Sequence, residues 1–524
     1  MDYLIHHMLR ASTSRTPDRE ALVHGDERLT YAEVSRRVAG LASSMRSAGL
    51  QRGDRVGIYL DPCIAQVVSI FGVSQAGGVF VPINSLLFPD QVAHIARDCG
   101  ITSLITTASK LESLAAVLRQ IPSLRFLVVV SDEAQTQSGL PQHDFEAMTS
   151  AKVEGDLRYW GIEKDLAAIL YTSGSTGKPK GVMLSHANIM AGSSIVSTYL
   201  GLTDSDRILC VLPFSFDAGL NQLMTAFQQG GALVLINFVF AKQIVETLTR
   251  ERITGLAGVP TVWTLLVQPN SGLQNNVPPA LRYITNTGGA MPQTALATLR
   301  SWLPKTKIFL MYGLTEAFRS TYLPPEELDR RPTSMGKAIP DTEILVLNDH
   351  GQLCKPGEVG ELVHRGPTVS MGYWGNHEAT DRVLKPNPLL PTELGDVERI
   401  CYSGDLVKMD EDGFLYYVGR RDAMIKSSGF RISPTEVEEI FFQSGKIRHA
   451  AAIGVPDEML GQAVKVFVVP RDGEAVDTEA LLAFCQEKLP RYMVPKFVEV
   501  LQDLPKTSSG KIDYPSLRRQ EALR

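Results

Sequence analysis

The feature that most restricts the fold is an alternation of short apolar runs with Ala- and Leu-rich stretches along much of the chain. The apolar runs predict buried strands at 55–60, 104–106, 126–130 and 166–170. The same pattern predicts further strands at 207–212, 232–236, 253–259 and 307–310. Because strands that alternate with helices assemble into parallel sheets, the sequence predicts a large α/β domain.

Two other local patterns help to divide the chain. Thr30-Tyr31-Ala32-Glu33 is a capping box, which predicts a helix that continues through Met45. From about 335 to 418 short strands alternate with Gly/Pro turns, which predicts a small β-rich subdomain. A compact α+β segment follows Gly419. A length of 524 residues exceeds one ordinary core, so at least two domains are expected.

Composition excludes several classes of function. The net charge is −5 and no basic stripe is present, which argues against a nucleic-acid partner. The N-terminus lacks a signal peptide pattern, and no apolar run is long enough to span a bilayer. We therefore predict a cytoplasmic protein without a membrane partner. The scattered cysteines lack a CxxC pair and suit a reducing compartment; they are Cys63, Cys99, Cys210, Cys354, Cys401 and Cys485.

A loop rich in Gly, Ser and Thr follows the strand predicted at 166–170 and carries two lysines; it runs Thr172-Ser173-Gly174-Ser175-Thr176-Gly177-Lys178-Pro179-Lys180-Gly181. Glycines let successive backbone N–H groups approach an oxyanion, hydroxyls add donors and lysine adds charge. The loop therefore predicts a phosphate site. It is not a Walker A loop, because Pro179 stands where Ser or Thr should hold magnesium. The alternative is an exposed turn with solvated lysines.

Five further motifs contain residues suited to nucleotide chemistry. They are Gly288-Gly289-Ala290, Met311-Tyr312-Gly313-Leu314-Thr315-Glu316, Tyr402-Ser403-Gly404-Asp405, Gly419-Arg420-Arg421-Asp422 and Leu504-Pro505-Lys506-Thr507-Ser508-Ser509-Gly510-Lys511. The adjacent hydroxyl and carboxylate of Thr315 and Glu316 suit a phosphate and Mg²⁺. The carboxylate of Asp405 can accept two hydrogen bonds from a ribose diol. The alternatives are capped or solvated turns and, for Lys511, a flexible basic tail.

In their order, these motifs resemble those of the adenylate-forming superfamily of acyl-CoA synthetases, luciferases and peptide-synthetase adenylation domains, and they cover nearly the whole chain. The resemblance implies an α/β N-terminal core, residues 1–418, of two stacked, mainly parallel α/β sheets with a small β-barrel-like subdomain at about 335–418. It also implies a hinge at 419–422 with Asp422 as pivot. A mobile α+β C-terminal domain, 423–524, would carry the catalytic lysine.

The resemblance also implies ATP and Mg²⁺ as cofactors. Lys511, Thr315 and Glu316 would be catalytic, Glu316 would hold the metal, and Asp405 would bind the ribose. The residues implied for nucleotide binding are Thr172, Ser173, Gly174, Ser175, Thr176, Gly177, Lys180, Gly288, Gly289, Ala290, Tyr312, Gly313, Thr315, Asp405 and Arg420. In relatives the C-terminal domain rotates between half-reactions, and the Gly429 position lets a phosphopantetheine arm pass.

The acid is indicated by Phe216-Asp217-Ala218, which follows the amino-acid pattern of peptide synthetases, where the Asp pairs with the substrate ammonium. Gly289 would line the same pocket. A carboxylate in an apolar pocket needs such a partner. The alternative is that Asp217 caps a helix. Asn221 and Arg319 are further candidates for the pocket, and a buried Arg319 would indicate an acidic group on the substrate.

The chain resembles stand-alone prolyl ligases and the AMP-forming ligases found with exopolysaccharide-sorting systems. We therefore predict a ligase that adenylates a small amino or imino acid, with proline favoured, and passes it to the phosphopantetheine of an acyl or peptidyl carrier protein in secondary metabolism. The alternative within the family is a synthetase that converts an aryl or fatty acid to its CoA thioester. A third alternative is a regulatory nucleotide-binding protein, which the presence of Lys511, Glu316 and the phosphate loop argues against.

Overall fold

The computed structural model describes residues 2–130, 139–153, 161–172, 179–395, 397–421, 423–427, 430–457, 460–472, 474–507 and 510–523. The strands in these ranges are β1 (Glu20–His24), β2 (Glu27–Thr30), β3 (Arg55–Tyr59), β4 (Val79–Pro82), β5 (Ile101–Thr107), β6 (Phe126–Val130), β7 (Gln142–Asp144), β8 (Leu166–Thr172), β9 (Lys180–Ser185), β10 (Arg207–Cys210), β11 (Ala232–Leu235), β12 (Gly255–Gly258), β13 (Tyr283–Asn286), β14 (Lys307–Tyr312), β15 (Thr321–Leu323), β16 (Lys337–Ala338), β17 (Glu343–Leu347), β18 (Val359–Arg365), β19 (Leu384–Pro386), β20 (Arg399–Met409), β21 (Leu415–Arg420), β22 (Ile425–Ser427), β23 (Phe430–Ile432), β24 (Ile447–Asp457), β25 (Gly461–Pro470) and β26 (Phe497–Val500). Every strand predicted from the apolar runs is present, with ends that differ by up to three residues.

The α-helices of the described residues are α1 (Ile5–Arg15), α2 (Tyr31–Ser47), α3 (Ile64–Ala76), α4 (Pro89–Asp98), α5 (Ala108–Leu118), α6 (Phe145–Ser150), α7 (His186–Leu200), α8 (Asp217–Gln229), α9 (Ala241–Arg250), α10 (Pro260–Leu266), α11 (Gln293–Trp302), α12 (His377–Val383), α13 (Pro434–Gln443), α14 (Thr478–Lys488) and α15 (Tyr514–Ala522). The predicted capping box is confirmed, because Thr30 accepts a hydrogen bond from the Glu33 amide and Glu33 accepts one from the Thr30 amide. The helix that it opens ends two residues later than predicted.

Two large sheets form the N-terminal core. One has nine strands in the order β16-β15-β14-β13-β12-β10-β11-β1-β2, and the other has seven in the order β7-β6-β5-β3-β4-β8-β9. The central strands of both sheets are parallel, and antiparallel strands occur only towards their edges. The predicted pair of mainly parallel sheets is therefore confirmed.

The two sheets enclose a layer of helices that includes α2, α3, α7 and α8. One continuous apolar core joins this layer to the inner faces of both sheets. Within it the rings of Phe71 (α3) and Phe227 (α8) stack at 4.9 Å, and both side chains are fully buried. Two further cores cover the outer faces, one beneath α9–α11 and one beneath α4 and α5. The core is thus a five-layer α/β stack, and the inner layer fixes how the two sheets face each other.

Two smaller sheets follow. The predicted β-rich subdomain is a five-stranded antiparallel sheet of β17–β21. The C-terminal unit is a sheet in the order β23-β22-β25-β24 with β26 beside β25, and α13–α15 pack on its faces. Gly419 and Arg420 of the predicted hinge still belong to β21, whereas Asp422 and Gly429 lie outside the described residues. The predicted domain limits remain predictions.

Candidate active site

The chemistry-bearing motifs converge at the carboxyl ends of strands in the two large sheets. Thr172 ends β8, Thr287 and Gly288 follow β13, and Thr315 follows β14. In open α/β sheets, ligands bind at this edge because the loops leaving neighbouring strands diverge and open a crevice. Topology therefore brings together residues that are more than a hundred positions apart in the sequence.

The predicted phosphate loop is the tip of a hairpin. β8 and β9 are antiparallel, and Thr172 is the register partner of Lys180. The residues between them, Ser173 to Lys178, lie outside the described residues, so this part of the predicted site stays a prediction. Lys180 Nζ lies 5.4 Å above the centre of the Tyr373 ring, a distance at which a cation is attracted to an aromatic face. Lys180, the first residue of β9, thus lies beside Tyr373, which also contacts Glu316.

Glu316 is oriented by that same tyrosine. The Tyr373 hydroxyl donates to Glu316 Oε1 at 2.5 Å, and the Ser370 amide donates to the Glu316 carbonyl at 2.8 Å. Burial, followed by the nearby Glu316 charge, raises the pKa of Tyr373, so its proton stays on the phenol as a donor. Among the described residues no three His, Cys, Asp or Glu side chains converge on one point. This fits Mg²⁺, which commonly takes one or two carboxylates and fills its shell with water and phosphate oxygens.

Asp405 is held by groups from two other strands. The Tyr312 hydroxyl donates to Asp405 Oδ2, and Arg420 Nη1 donates to Asp405 Oδ1 at 3.1 Å. Arg420 also donates to the Ser403 carbonyl at 2.7 Å. Tyr312 stacks on the buried ring of His364, with centroids 6.1 Å apart. The carboxylate predicted to bind ribose is therefore fixed in place, and the observed contacts of Tyr312 are with Asp405 and His364.

The turn that carries Asp405 has a specific backbone requirement. Gly404 has a φ of +73°, and a Cβ atom there would lie 2.9 Å from the Arg420 guanidinium. The Gly404 amide donates to Glu361 at 3.0 Å, and Glu361 also accepts from Arg421 at 2.5 Å. Glycine is required at this position because only it combines the left-handed backbone with close approach of an arginine.

Lys511 reaches the crevice from the C-terminal unit. A Cβ atom built on Gly288 would lie 3.6 Å from Cε and 3.9 Å from Nζ of Lys511. The lysine sits on a tight turn in which the Thr507 amide donates to the Lys511 carbonyl at 2.7 Å. Gly288 itself has a φ of +77°, and Gly289 packs on Pro260. The structure therefore brings Lys511 to the loop after β13, as predicted for a lysine that serves the adenylation step.

The acid side of the crevice contains an unexpected ion pair. Asp217 Oδ2 lies 3.8 Å from Arg319 Nη1, and the Arg319 side chain is only 6% exposed. The suggestion that Asp217 caps a helix is wrong, because Phe216 is the N-cap of α8 and no side chain caps it. Asp217 is instead the first helical residue, where a carboxylate is favoured by the helix dipole. The positive charge beside the Asp217 carboxylate is therefore a side chain of the protein, Arg319, and not a substrate ammonium.

A small cavity of about 20 Å³ lies beside this ion pair, between α7, α8 and the nine-stranded sheet. Its wall includes Asn221, Thr287 and Arg319 together with apolar residues such as Val196 and Met311. Asn221 Nδ2, Gln222 Oε1 and Arg319 Nε are buried there without a hydrogen-bond partner in the described structure. A buried unpaired polar group costs about 1–3 kcal/mol, so these atoms indicate a ligand with polar atoms of its own.

A much larger cavity lies elsewhere. It measures about 880 Å³, lies beside α1 near the amino ends of β4 and β8, and has Arg46, Arg52 and His186 in its wall. None of the predicted site residues lines it. Its wall also includes Gly161, which directly follows the undescribed residues 154–160. We place the site at the opposite edge, where the motif residues and the unpaired polar atoms meet.

Sequence reasoning missed two supporting residues. Tyr373, which orients Glu316, and Glu361, which supports the Asp405 turn, lie in β-rich segments without a motif that marks them. It also assigned no role to Tyr514, the first residue of α15. Its hydroxyl donates to the buried Glu438 at 2.8 Å, which ties α15 to α13. No helix in the described part of the chain is both long and apolar enough to cross a membrane.

Comparisons with known proteins agree with this geometry. The family described as AMP-binding enzyme matches residues 9–374, and the AMP-binding enzyme C-terminal domain matches residues 436–511. A feruloyl-CoA synthase of Amycolatopsis sp is 34% identical over 96% of each chain, and a long-chain-fatty-acid–CoA ligase of Salmonella typhimurium is 31% identical over 97% of this chain and 92% of that one.

A crystal structure of the anthranilate CoA ligase AuaEII in complex with anthranoyl-AMP superposes with a TM-score of 0.89 and is 25% identical, covering 99% of this chain and 98% of that one. The two family profiles match in chain order, and together they account for both the α/β core and the C-terminal unit that carries Lys511. ATP and Mg²⁺ fit the site described above. The chain thus belongs to the AMP-binding enzyme family and is an ATP-dependent, AMP-forming acid–thiol ligase.

Proposed function

We propose that this enzyme is an acyl-CoA synthetase that converts a small, non-amino carboxylic acid to its CoA thioester. ATP would be cleaved to AMP and pyrophosphate in the process. This is the alternative weighed in the sequence analysis, and it replaces the amino-acid and carrier-protein reading as our first choice. The relatives described above are named as a CoA ligase and a CoA synthase.

The observation that carries the choice of acid is the ion pair between Asp217 and Arg319. The amino-acid reading requires the Asp217 carboxylate to await a substrate ammonium. An arginine that is buried 3.8 Å away already supplies a positive charge, so a substrate cation would have to be placed against Arg319 as well. The cavity of about 20 Å³ beside Arg319 has room for only one or two water-sized groups, which argues against a bulky acyl group on this side of the crevice.

In the first step, an oxygen of the substrate carboxylate attacks the α-phosphorus of ATP, a P–O bond forms, and pyrophosphate leaves. Two anions must approach each other in this step. The Lys511 ammonium beside Gly288 offsets their repulsion, and the Thr315 hydroxyl donates to an α-phosphate oxygen. Asp405 orients the ribose. Glu316 would hold Mg²⁺, which would neutralise charge on the phosphates.

In the second step, the CoA thiolate attacks the carbonyl carbon of the acyl adenylate. A C–S bond forms, the C–O bond to phosphate breaks, and AMP leaves with the electron pair. We propose that the C-terminal unit moves away from the Gly288 loop for this step, which removes Lys511 and opens a path for the thiol. In this step the protein acts mainly by holding the adenylate in position.

The test is acid-dependent formation of AMP and thioester by the purified full chain. We expect short carboxylic acids with ATP, Mg²⁺ and CoA to yield acyl-CoA, identified by mass spectrometry, at rates well above those with proline, alanine or glycine. Thioester formation on a phosphopantetheinylated carrier protein is measured in parallel. Acids without a thiol acceptor should give pyrophosphate exchange alone.

Two outcomes would contradict the proposal. Exchange restricted to amino acids would restore the ammonium reading of Asp217. Thioester that appears only on the carrier protein, and never on CoA, would restore the carrier-protein reading.

A further inference from the structure

The starting point is the surroundings of the Arg319 guanidinium. It carries a full charge and five N–H donors, yet its contacts with the described residues are long. Nη1 lies 3.8 Å from Asp217 Oδ2 and donates to Thr287 Oγ1 at 3.4 Å, and Nε has no partner. A buried guanidinium normally has a carboxylate or phosphate that accepts two of its N–H groups at shorter distance. Arg319 therefore has donor capacity that the protein does not use.

The backbone holds this side chain in position. The preceding residue, Phe318, has a φ of +33°, in the left-handed region that side chains rarely adopt. Its ring is fully buried, and a Cβ atom on Gly192 of α7 would lie only 2.5 Å from it. On the other side, a Cβ atom on Gly313 would lie 3.3 Å from Arg319 Cα. A strained backbone persists only where packing on all sides imposes it, and such positions cluster at binding sites.

A second unused donor faces the same cavity. Asn221 is 3% exposed, lies one helical turn after Asp217 on α8, and its Nδ2 has no partner among the described residues. Asn221, Arg319 and Thr287 all line the cavity of about 20 Å³. Thr287 precedes Gly288, the residue that Lys511 approaches. Thr287, which accepts a hydrogen bond from Arg319, thus connects the wall that carries the unused donors to the loop that Lys511 approaches.

We propose that the substrate is a short dicarboxylic acid whose second carboxylate binds to Arg319 Nε and Asn221 Nδ2. This inference rests on the proposed function and names its substrate class. A carboxylate accepts two N–H groups of a guanidinium side by side, which matches the free edge of Arg319. Asp217 repels a second anion, but Arg319 lies between the two charges in this arrangement and attracts both. Because the cavity has room for little more than the second carboxylate itself, we expect only a short chain between the two carboxylates.

The experiment compares diacids with monoacids of equal chain length. Malonate, succinate and glutarate are assayed against propionate, butyrate and valerate for acyl-CoA formation with ATP, Mg²⁺ and CoA. We expect the kcat/KM of the best diacid to exceed that of its matched monoacid by about 10²-fold or more, because a site built around a buried charge rejects an analogue that leaves it unpaired. Lactate and β-alanine serve as hydroxy and amino comparators.

Three variants test whether Arg319 is the source of the preference for diacids over monoacids. Arg319→Gln should bring the diacid-to-monoacid ratio close to one. Arg331→Gln is the matched control, because it removes another well-buried arginine whose partners are Glu327, Asp410 and Asp412, outside the pocket; its ratio should equal that of the wild type. Asp217→Asn should keep or raise the ratio, because it removes a like charge, whereas it would abolish activity with an amino-acid substrate.

A binding measurement separates recognition from turnover and from folding. Succinate or malonate is titrated calorimetrically into the enzyme that holds a non-hydrolysable ATP analogue and Mg²⁺. We expect binding by the wild type and by Arg319→Lys, which retains the charge, and a loss of about tenfold or more with Arg319→Gln.

The two levels of the proposal fail in different ways. Monoacids, lactate or β-alanine converted to CoA thioesters as well as or better than any diacid would overturn the diacid inference and leave the CoA-ligase proposal intact. A failure of every acid to form acyl-CoA, with thioester on a carrier protein instead, would overturn the proposed function.

Discussion

The nucleotide side and the acid side of this crevice differ in whether their buried polar groups already have hydrogen-bond partners. On the nucleotide side, Asp405 accepts hydrogen bonds from Tyr312 and Arg420, and Glu316 accepts one from Tyr373. On the acid side, Asn221, Gln222 and Arg319 each keep a buried polar atom without a partner in the described structure. The two carboxylates described on the first side thus have protein partners before any ligand arrives, whereas the described polar atoms of the second side do not.

This difference indicates which side decides specificity. Groups that are already hydrogen-bonded are held in one orientation, so they can serve the same nucleotide whatever the acid. Unpaired buried donors gain most from a ligand that satisfies them and discriminate most strongly against one that does not. We therefore expect substitutions on the nucleotide side to lower rates for all acids alike, and substitutions on the acid side to change the ratio between acids.

The largest expected effect is that of Lys511→Ala. Removing the ammonium beside Gly288 should lower adenylation about 10²- to 10³-fold for every acid, because repulsion between the two reacting anions is no longer offset. Pyrophosphate exchange measures this step. Thioester formation from a synthetic acyl adenylate should be nearly unaffected.

Lys506→Ala is the matched control for that lysine. Lys506 lies on the same C-terminal turn but pairs with Asp503, and it is 39% exposed. Its removal should leave exchange close to the wild-type rate. Equal loss of both half-reactions in Lys511→Ala would break the assignment of this lysine to adenylation.

An intermediate effect is expected from Asp405→Asn. The amide keeps the shape of the side chain but removes the charge that Arg420 and the Tyr312 hydroxyl hold in place, so ribose binding should weaken. The KM for ATP should rise about 10-fold to 10²-fold, with an unchanged ratio between acids. The exposed Asp381→Asn, which alters a surface pair with Arg399, is the control. If Asp405→Asn changed the ratio of activities between acids, Asp405 would not act on the nucleotide side alone.

The smallest effect concerns the stability of the C-terminal unit, away from both sides. Burial raises the pKa of Glu438 from its ordinary 4.5 to about 8, and the Ala452 amide and the Tyr514 hydroxyl both donate to its Oε1. Between these two pH values the folded state keeps a proton that the unfolded state has released. Stability from this group is thus fully present below about pH 4.5, falls as the pH rises towards 8, and is level above it.

Glu438→Gln should remove that slope, because the amide does not ionise. The expected change is at most a few kcal/mol at pH 9 and close to zero at pH 4.5. Hydrogen exchange of β24 and β25, corrected for the intrinsic pH dependence of exchange, measures the opening free energy of this unit. An identical slope in wild type and variant would show that Glu438 is already ionised in the folded protein.

The residues of the nucleotide side could be named from the sequence for a physical reason, although their roles stay predictions. Its residues belong to short contiguous motifs, because a turn that holds a phosphate or a ribose needs glycines, hydroxyls and a carboxylate at fixed spacing. The strands were predicted because parallel strands that are buried on both faces are continuous apolar runs. The supporting residues Tyr373 and Glu361 were missed because their partners, Glu316 and Gly404, are distant in sequence.

The acid side was predicted only in part. Asp217 was recognised, but its partner Arg319 lies about a hundred residues further along the chain, and pairing at that distance follows from sheet topology alone. The helix-cap alternative failed because the helix starts at Asp217 itself. Arg319 is buried, which is the condition under which the sequence analysis predicts an acidic group on the substrate, and that group stays a prediction.

The close packing of α8 against the turn before it has a consequence for how this enzyme can evolve. A Cβ atom on Gly219 would lie 2.3 Å from the Pro213 carbonyl oxygen, so the helix is locked in one rotation against the preceding turn. The opposite face presents Asp217, Asn221 and Thr225, spaced by four residues. Single substitutions on that face can therefore change which acids the enzyme accepts during evolution. An insertion or deletion within α8, between Asp217 and Asn221, would move the residues after it by about 100° around the helix axis and so remove Asn221 and Thr225 from the face that carries Asp217.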